Sequence, residues 1–408
     1  MHEQMHELGV LKLHPAVQHY DWGGHDFIPG LLGIDNCERR PFAELWMGAH
    51  PKAPAMADVA GMAIPLNQLI AEAPDRILGP SACARFGGNL PYLFKVLDVA
   101  QTLSIQAHPT REQAEAGFAR ENAAGLDLTA AVRNYQDANP KPEVCVALTE
   151  FWMLRGFRPL DHIAETLRQV PELRSIMPGF PARRDSLRDL YRTVMTLPQE
   201  RVDLLLNQLA ARLAASRPCD SDSPDYWAAR AAEAFPRDRG IFSIYLLNLV
   251  HLRPGQGTFL PAGTLHAYLK GVAVELMANS DNVLRGGLTR KHVDVPELMR
   301  ILSFDDGVPQ VLDGAPGGSS ERVYRTPFGE FELSRIDLAA GGQYMGHATH
   351  GPDTLIVLDG GATLAAAGRS MPLARGAIVF APFGTDYAIH TSAAPAMLFK
   401  ASVPGDTG

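Results

Sequence analysis

Between about Arg158 and Arg237 the texture of this 408-residue chain changes, and that change constrains its fold more than any other feature. Leu, Ala and Arg dominate the stretch. Apolar residues recur at helical spacing in Ile163, Leu167 and Val170, and again in Val202, Leu205, Leu206 and Leu209. Pro171, Pro181 and Pro198 punctuate it, Pro198 where a first helical residue tolerates proline, so four or five helices are expected. The Ser- and Asp-rich run from Pro218 to Pro224 reads as an exposed connection.

On both sides of this block, short apolar runs are broken by Gly and Pro, the pattern of strands and turns. The clearest strands before it are Tyr92 to Val99 and Val144 to Leu148. One helix is expected among them: Thr110-Arg111-Glu112-Gln113 forms a capping box that opens the alanine-rich run stopped by Gly125. After the block, β texture is expected from Ile241, with strands at Tyr245 to Val250, Thr258 to Pro261 and Val272 to Met277. A further β segment runs from about Val323 to Val403, with turns at Gly360-Gly361, Gly368 and Gly384. The fold class is therefore mainly β with a helical insert, the two β units forming sandwiches or small barrels.

Within the first β block, Gln106 and His108 are two apart, so in a strand they project from one face. Glu143 opens a second strand and His266 follows a turn at Gly263. Two imidazoles, a carboxylate and an amide oxygen suit Zn²⁺ best, while Fe²⁺, Mn²⁺ and Co²⁺ also accept such donors. Each residue alone is more simply an ordinary polar group, and spacing cannot unite three distant fragments. His347, His350 and His390 form a rival set. His347 and His350 would lie on opposite faces of a strand, however, and no acidic partner stands out.

Several other features have bland readings. Cys145 shares a strand face with Glu143 but sits among Val and Ala, where a lone cysteine is a small buried hydrophobe. Gly23-Gly24 and Gly286-Gly287 lack the strand-to-helix context of phosphate loops. Lys95 inside an apolar strand is unusual, because buried lysines are paired or functional. Lys141 precedes Glu143 by two residues, and Arg285 follows the polar cluster Asn279 to Asn282.

Net charge is -8 and no basic stripe is present, which argues against nucleic acid or an anionic membrane surface as partner. An anionic ligand would need a local cluster of cations. The cysteines Cys37, Cys83, Cys145 and Cys219 are scattered, as in a reducing compartment. Residues 1–7 show no basic segment leading into an apolar run, and a cytoplasmic protein is expected.

Taken together, the chain resembles the type I mannose-6-phosphate isomerases, or phosphomannose isomerases. The resemblance rests on Ala43-Glu44-Leu45-Trp46-Met47-Gly48-Ala49-His50-Pro51, Phe94-Lys95-Val96-Leu97, Leu103-Ser104-Ile105-Gln106-Ala107-His108-Pro109, Lys141-Pro142-Glu143, His266-Ala267-Tyr268, and Glu275 through Arg285. It implies a catalytic cupin (jelly-roll) barrel at 1–157 and 241–315, a helical domain inserted at 158–240, and a second cupin-like barrel at 316–408. It also implies one Zn²⁺ on Gln106, His108, Glu143 and His266, and interconversion of mannose 6-phosphate with fructose 6-phosphate by a monomer. That reaction serves mannose metabolism and GDP-mannose biosynthesis.

By the same resemblance, Arg285 occupies the position of the family's active-site arginine, and Lys95 and Lys141 match lysines lining its pocket. Lys141 is the expected base, and Lys95 and Ser104 the expected phosphate contacts. Tyr268, Asp281, Glu44 and Trp22 complete the substrate contacts. One departure stands out: the family commonly reads Asn-His-Lys-Pro-Glu, whereas this chain has Asn139-Pro140-Lys141-Pro142-Glu143, so position 140 cannot exchange a proton. The rival readings are a cupin dioxygenase, or a non-catalytic cupin that binds sugar phosphates.

Overall fold

The fold is described from a computed structural model, in which residues 9–405 are placed; residues 1–7, read above for a leader, lie outside them. The chain is mainly β. A ten-stranded sheet runs in the order Leu247–Leu252, Phe151–Phe157, His266–Ala278, Tyr92–Val99, Glu44–Gly48, Ala16–Gln18, with four short strands attached to its centre. A nine-stranded sheet holds the C-terminal strands Asp353–Gly360, Ile378–Ala381 and Ala396–Ser402. It continues through Leu11–His14, Met56–Val59 and Met62–Pro65 from the N-terminal region. Leu11 pairs with Phe380 and Leu13 with Ile378, so the first described strand closes the sheet of the last segment.

Tyr92–Val99 shows why the frame holds. Every residue in it is buried. Tyr92, Phe94 and Val96 join Leu13, Phe380 and Phe399 of the nine-stranded sheet in one core, while Leu97 and Val99 pack with Phe151, Met153 and Leu252 on the other face. Alternation thus serves two cores, and each fully buried apolar side chain stabilises the fold by roughly 1.5–3 kcal/mol. Only a residue with a partner can interrupt such a strand, and Lys95 does so.

The helical block is present and larger than its periodicity indicates. Six helices lie between Leu160 and Leu246 among the described residues. Strand texture does not resume at Ile241. Gly240–Leu246 is a fully buried helix, and the strand begins at Leu247. A helix buried all round carries no polar face, so its apolar run is indistinguishable from a strand by period. Pro198 is the N-cap of Gln199–Ser216 rather than its first helical residue. In the first β block, Arg111–Ala123 has its capping box, with Gln113 returning to the Thr110 backbone. Four more short helices accompany it, at Phe27–Leu32, Leu66–Glu72, Pro74–Leu78 and Pro80–Phe86. None exceeds seven residues, too short for a helical period to emerge.

The helical block matters for the site because of what it packs on. Its core residues Leu187, Tyr191, Val194 and Leu205 share one cluster with Ile105, Ala107, Leu265 and Leu284. Those four flank Gln106, His108, His266 and Arg285 in sequence.

Candidate metal centre and its cleft

His266–Ala278 is the hub of the site. Its first part pairs with Phe151–Phe157 and meets Gln106, its second part pairs with Tyr92–Val99 and Glu143–Ala147, and a bulge between Tyr268 and Lys270 separates them. Gly271 turns that bulge with φ +119°, and a Cβ there would lie 2.4 Å from the Glu150 carbonyl oxygen. Cross-strand partners point to one face, so the register aligns the chemistry. Gln106 stands opposite both His266 and Arg285, Glu275 opposite Lys95 and Cys145, and Glu143 opposite Met277.

Three of these side chains converge. Candidate ligand atoms of His108, Glu143 and His266 all lie within 4.8 Å of one another, and the three residues are almost fully buried. Glu143 Oε1 is 3.2 Å from His108 Nε2, and Glu143 Oε2 is 3.4 Å from His266 Nε2. His108 Nδ1 lies 2.6 Å from the Asn282 carbonyl and His266 Nδ1 lies 2.9 Å from the Thr264 carbonyl. Each Nδ1 must therefore carry the proton, which leaves both Nε2 lone pairs aimed inward. His108 Nε2, His266 Nε2 and Glu143 Oε2 are buried without a hydrogen-bond partner. Three such orphans in one spot would be costly, and a cation bound by all three removes the cost. The residues fit a metal.

Electrostatics agree. Burial, then the charge on Lys141, pushes the His108 imidazole down to about 4, so it stays neutral and able to ligate. Burial alone would raise Glu143, but Lys141 and His108 outweigh it and hold the carboxylate well below its usual range. Lys141 Nζ sits 3.2 Å from Glu143 Oε1.

Through Glu143 the group borders a cavity of about 640 Å³ lined also by Gln106, Ser104, Tyr268, Trp22 and Arg285, among others; His108 and His266 are not part of its lining. A second cavity of about 1020 Å³, bordered by Asp281 and Pro140, shares Glu44, Lys95, Lys141, Arg285 and Lys291 with it, so the two form one cleft. Lys95 is locked between Glu44 (3.3 Å) and Glu275 (3.1 Å), and Tyr268 donates to Glu275 at 2.7 Å. Burial would lower the Lys95 ammonium, yet the two carboxylates raise it and keep it charged. Arg285 and Lys291 have no acidic partner among the described residues. Burial lowers both, and Lys291 is lowered further by Arg285. The cleft therefore ends in unneutralised positive charge.

Most of the expected residues line this one cleft. Asp281 stands at its outer part, tied to His50 at 3.3 Å and Lys52 at 2.9 Å; burial would raise it, but these partners hold it low. Glu275, Lys291 and Trp46 were not singled out by sequence reasoning. Glu275 carries the same signal as Lys95, a charge inside an apolar strand, and the two face each other in register. Cys145 is the buried hydrophobe expected, its sulfur 3.9 Å from Met153 Sδ. The rival histidines are not brought together. His347 is exposed and pairs across strands with Asp386, an acidic partner that sequence reasoning missed, while His350 lies in a bend beyond the strand.

A mainly β scaffold with a buried imidazole–carboxylate group bordering a cationic cleft through Glu143 fits the class of metal-centred proteins with room for a small anion. The comparisons specify it. Residues 10–160 match the model of the phosphomannose isomerase type I catalytic domain. The mannose-6-phosphate isomerase of Escherichia coli (strain K12) is 40% identical over 334 residues, 80% of this chain and 84% of that one. The mannose-6-phosphate isomerase of Homo sapiens is 35% identical over 403 residues, 91% of this chain and 93% of that one. A crystal structure of the Salmonella typhimurium enzyme bound to its substrate and to zinc superposes with a TM-score of 0.89 at 36% identity, covering 98% of this chain and 100% of that one. The chain belongs to the type I mannose-6-phosphate isomerase family.

Proposed function

We propose that this protein interconverts mannose 6-phosphate and fructose 6-phosphate with one zinc ion held by Gln106, His108, Glu143 and His266. The observation that carries the reading is the trio of buried, unpartnered atoms on His108, Glu143 and His266, of which Glu143 lines a cleft with excess positive charge. The expected ligand set adds Gln106, whose register between His266 and Arg285 supports it. When bound, zinc supplies Lewis acidity to the substrate oxygens.

Aldose–ketose interconversion moves a proton between C2 and C1 through an enediol, so the chain must supply a proton carrier, charge for the enediolate and an anchor for the phosphate. Lys141, buried beside Glu143 and lining the cleft, is the proton carrier we assign. Pro140 can hold no proton, so that position takes no part in the transfer. Arg285 has no counter-ion among the described residues and stands opposite Gln106 in register, which suits it to charge developing at the reacting carbons. Lys291, likewise without an acidic partner among the described residues, and the Ser104 hydroxyl line the same cavity, and we assign the phosphate to them. The Lys95 charge is matched by Glu44 and Glu275, so Lys95 orders these carboxylates and Tyr268 beneath the sugar. Trp22 gives an apolar wall, stacked on Tyr20 at 5.9 Å.

We also read the sheets as two cupin barrels, with the helical domain at 158–240 inserted in the first. The shared nine-stranded sheet supports a first barrel that leans on the second through Leu11–His14 and Met56–Pro65. The test of the reaction is a coupled assay for fructose 6-phosphate after addition of mannose 6-phosphate. Chelation should abolish the signal and zinc restore it. A stripped protein that remains fully active would refute the metal, and binding without product would favour a non-catalytic cupin.

A further inference from the structure

Three segments lead into residues of the site: Ile105–Ala107 into His108, residues 136–142 into Glu143, and residues 279–283 toward Arg285. They cross at one fully buried residue, Asn282. Its Oδ1 accepts the backbone N–H groups of Gln136 (2.7 Å) and Asp137 (3.2 Å). Its Nδ2 donates to the carbonyls of Asp137 and Asn139, both at 2.9 Å, and to Asp137 Oδ1 at 3.2 Å. Its own carbonyl accepts His108 Nδ1. The amide is thus used to capacity.

Asp137 closes the other side. Its Oδ1 accepts from Ser280 Oγ (2.8 Å) and the Asn139 N–H (2.9 Å), and its Oδ2 accepts the Asp281 N–H (2.8 Å). Between this junction and Glu143 lie Pro140 and Pro142, whose fixed φ makes the intervening backbone stiff. The Pro142 carbonyl is in turn held by the Ala278 N–H at 3.0 Å. A displacement of residues 136–139 therefore passes to Glu143 with little slack, and a displacement of residue 282 rotates the His108 ring through its only partner at Nδ1.

We propose that Asn282, latched to Asp137, is the positioning residue that sets the mutual placement of His108 and Glu143 for the metal. This rests on the zinc reading above. A ligand set held by outer hydrogen bonds loses metal affinity when they are broken, typically 10–100-fold, even when the ligands themselves remain. The latch also fits the chain's departure at position 140. With proline there, the segment's placement comes from the backbone and from Asn282, not from a side chain at 140.

The experiment compares the wild type with Asn282→Asp, which keeps the Oδ1 acceptor but loses the donor, and with the milder Asp137→Asn. Three quantities are measured: zinc affinity by competition with a chromophoric chelator, the visible bands of the cobalt-loaded protein, and the thermal midpoint of the apo-protein. Asn282→Asp should weaken zinc binding by about 10–100-fold and alter the cobalt bands, with isomerase activity returning as zinc is raised. Asp137→Asn should act in the same direction by about 10-fold. Should Asn282→Asp fail to fold, Asp137→Asn decides. Wild-type zinc affinity in the folded variants, with only the midpoint lowered, would make the latch a purely structural element and overturn the proposal. A wild type whose zinc binding is insensitive to His108→Ala would remove the metal reading itself, and the latch with it.

Discussion

Two of the polar clusters in the β framework differ in whether they are open to chemistry. In the first, His108, Glu143 and His266 point at one another with atoms unpartnered among the described residues, beside a cleft where Arg285 and Lys291 lack counter-ions among those same residues. In the second, Lys400 Nζ contacts Glu321 Oε1 and Tyr344 Oη, both at 2.8 Å, and Tyr387 donates to Asp353 at 2.7 Å. There the one cation, Lys400, serves the two carboxylates Glu321 and Asp353, and none of the five residues lines the cleft. Desolvation acts on both alike, raising Asp353 to about 6 as it lowers His108 to about 4. The difference lies in what opposes it. A cluster whose cation is engaged by its own carboxylates spends that charge on the fold, whereas ligand atoms that converge on one point beside excess cations hold theirs for a ligand.

The sharpest way to break this contrast is to remove the metal-facing groups. His108→Ala or exhaustive chelation should cost on the order of 10³-fold or more in kcat/KM, since a Lewis acid supplies several kcal/mol to such a transition state. Zinc content measured alongside should fall with activity; activity that persists without zinc would equate the two clusters. Next in size is Arg285→Ala. It should lower kcat/KM by about 10²–10³ with zinc content unchanged, the scale of losing one preorganised electrostatic group. Arg285→Lys should recover only part, because a point charge does not replace a planar fork. Lys141→Met belongs in the same range, and its check is turnover falling while zinc stays bound.

The cluster of the C-terminal sheet should behave in the opposite way. Lys400→Met leaves Glu321 and Asp353 facing each other without their cation and should destabilise the fold by about 3 kcal/mol or more. Activity per folded molecule should stay within about two-fold, since no catalytic group is touched. Denaturant unfolding together with kinetics on the folded fraction separates the two effects. A large loss of turnover in the folded fraction would show that the C-terminal cluster serves the reaction.

The same contrast explains what could be read from the chain. Gln106 and His108 were visible as a same-face pair, and Lys95 as a charge inside an apolar strand, because both are local signals of period two. Joining Glu143 and His266 to them required the family resemblance, since hub strand His266–Ala278 assembles fragments more than a hundred residues apart. Glu275 carried the Lys95 signal but was passed over, because only the register sets it opposite Lys95. The Gly240–Leu246 helix and the N-terminal strand's place in the C-terminal sheet were not legible. The first has no polar face to set its period, and the second is a pairing across more than 360 residues.

The smallest expected effect is the dependence of apo-protein stability on pH, where the clusters pull against each other. His108 has its folded pKa pushed from an ordinary 6.5 to about 4, so the unfolded chain binds more protons between those values. Its contribution is complete above pH 6.5 and is lost as pH falls toward 4. Asp353 is the reverse, raised from 3.8 to about 6: its contribution is complete below pH 3.8 and is lost as pH rises through 6. Across pH 4 to 6 the two slopes oppose each other, and these terms leave the wild-type curve shallow. Asp353→Asn removes the second slope, so its apo-protein should lose stability on acidification more steeply than the wild type. His108→Gln removes the first and should flatten or invert the curve. Urea midpoints of the three apo-proteins at pH 4.5, 5.5 and 6.5 test the pair, and parallel curves would show that neither group is titrating as its surroundings dictate.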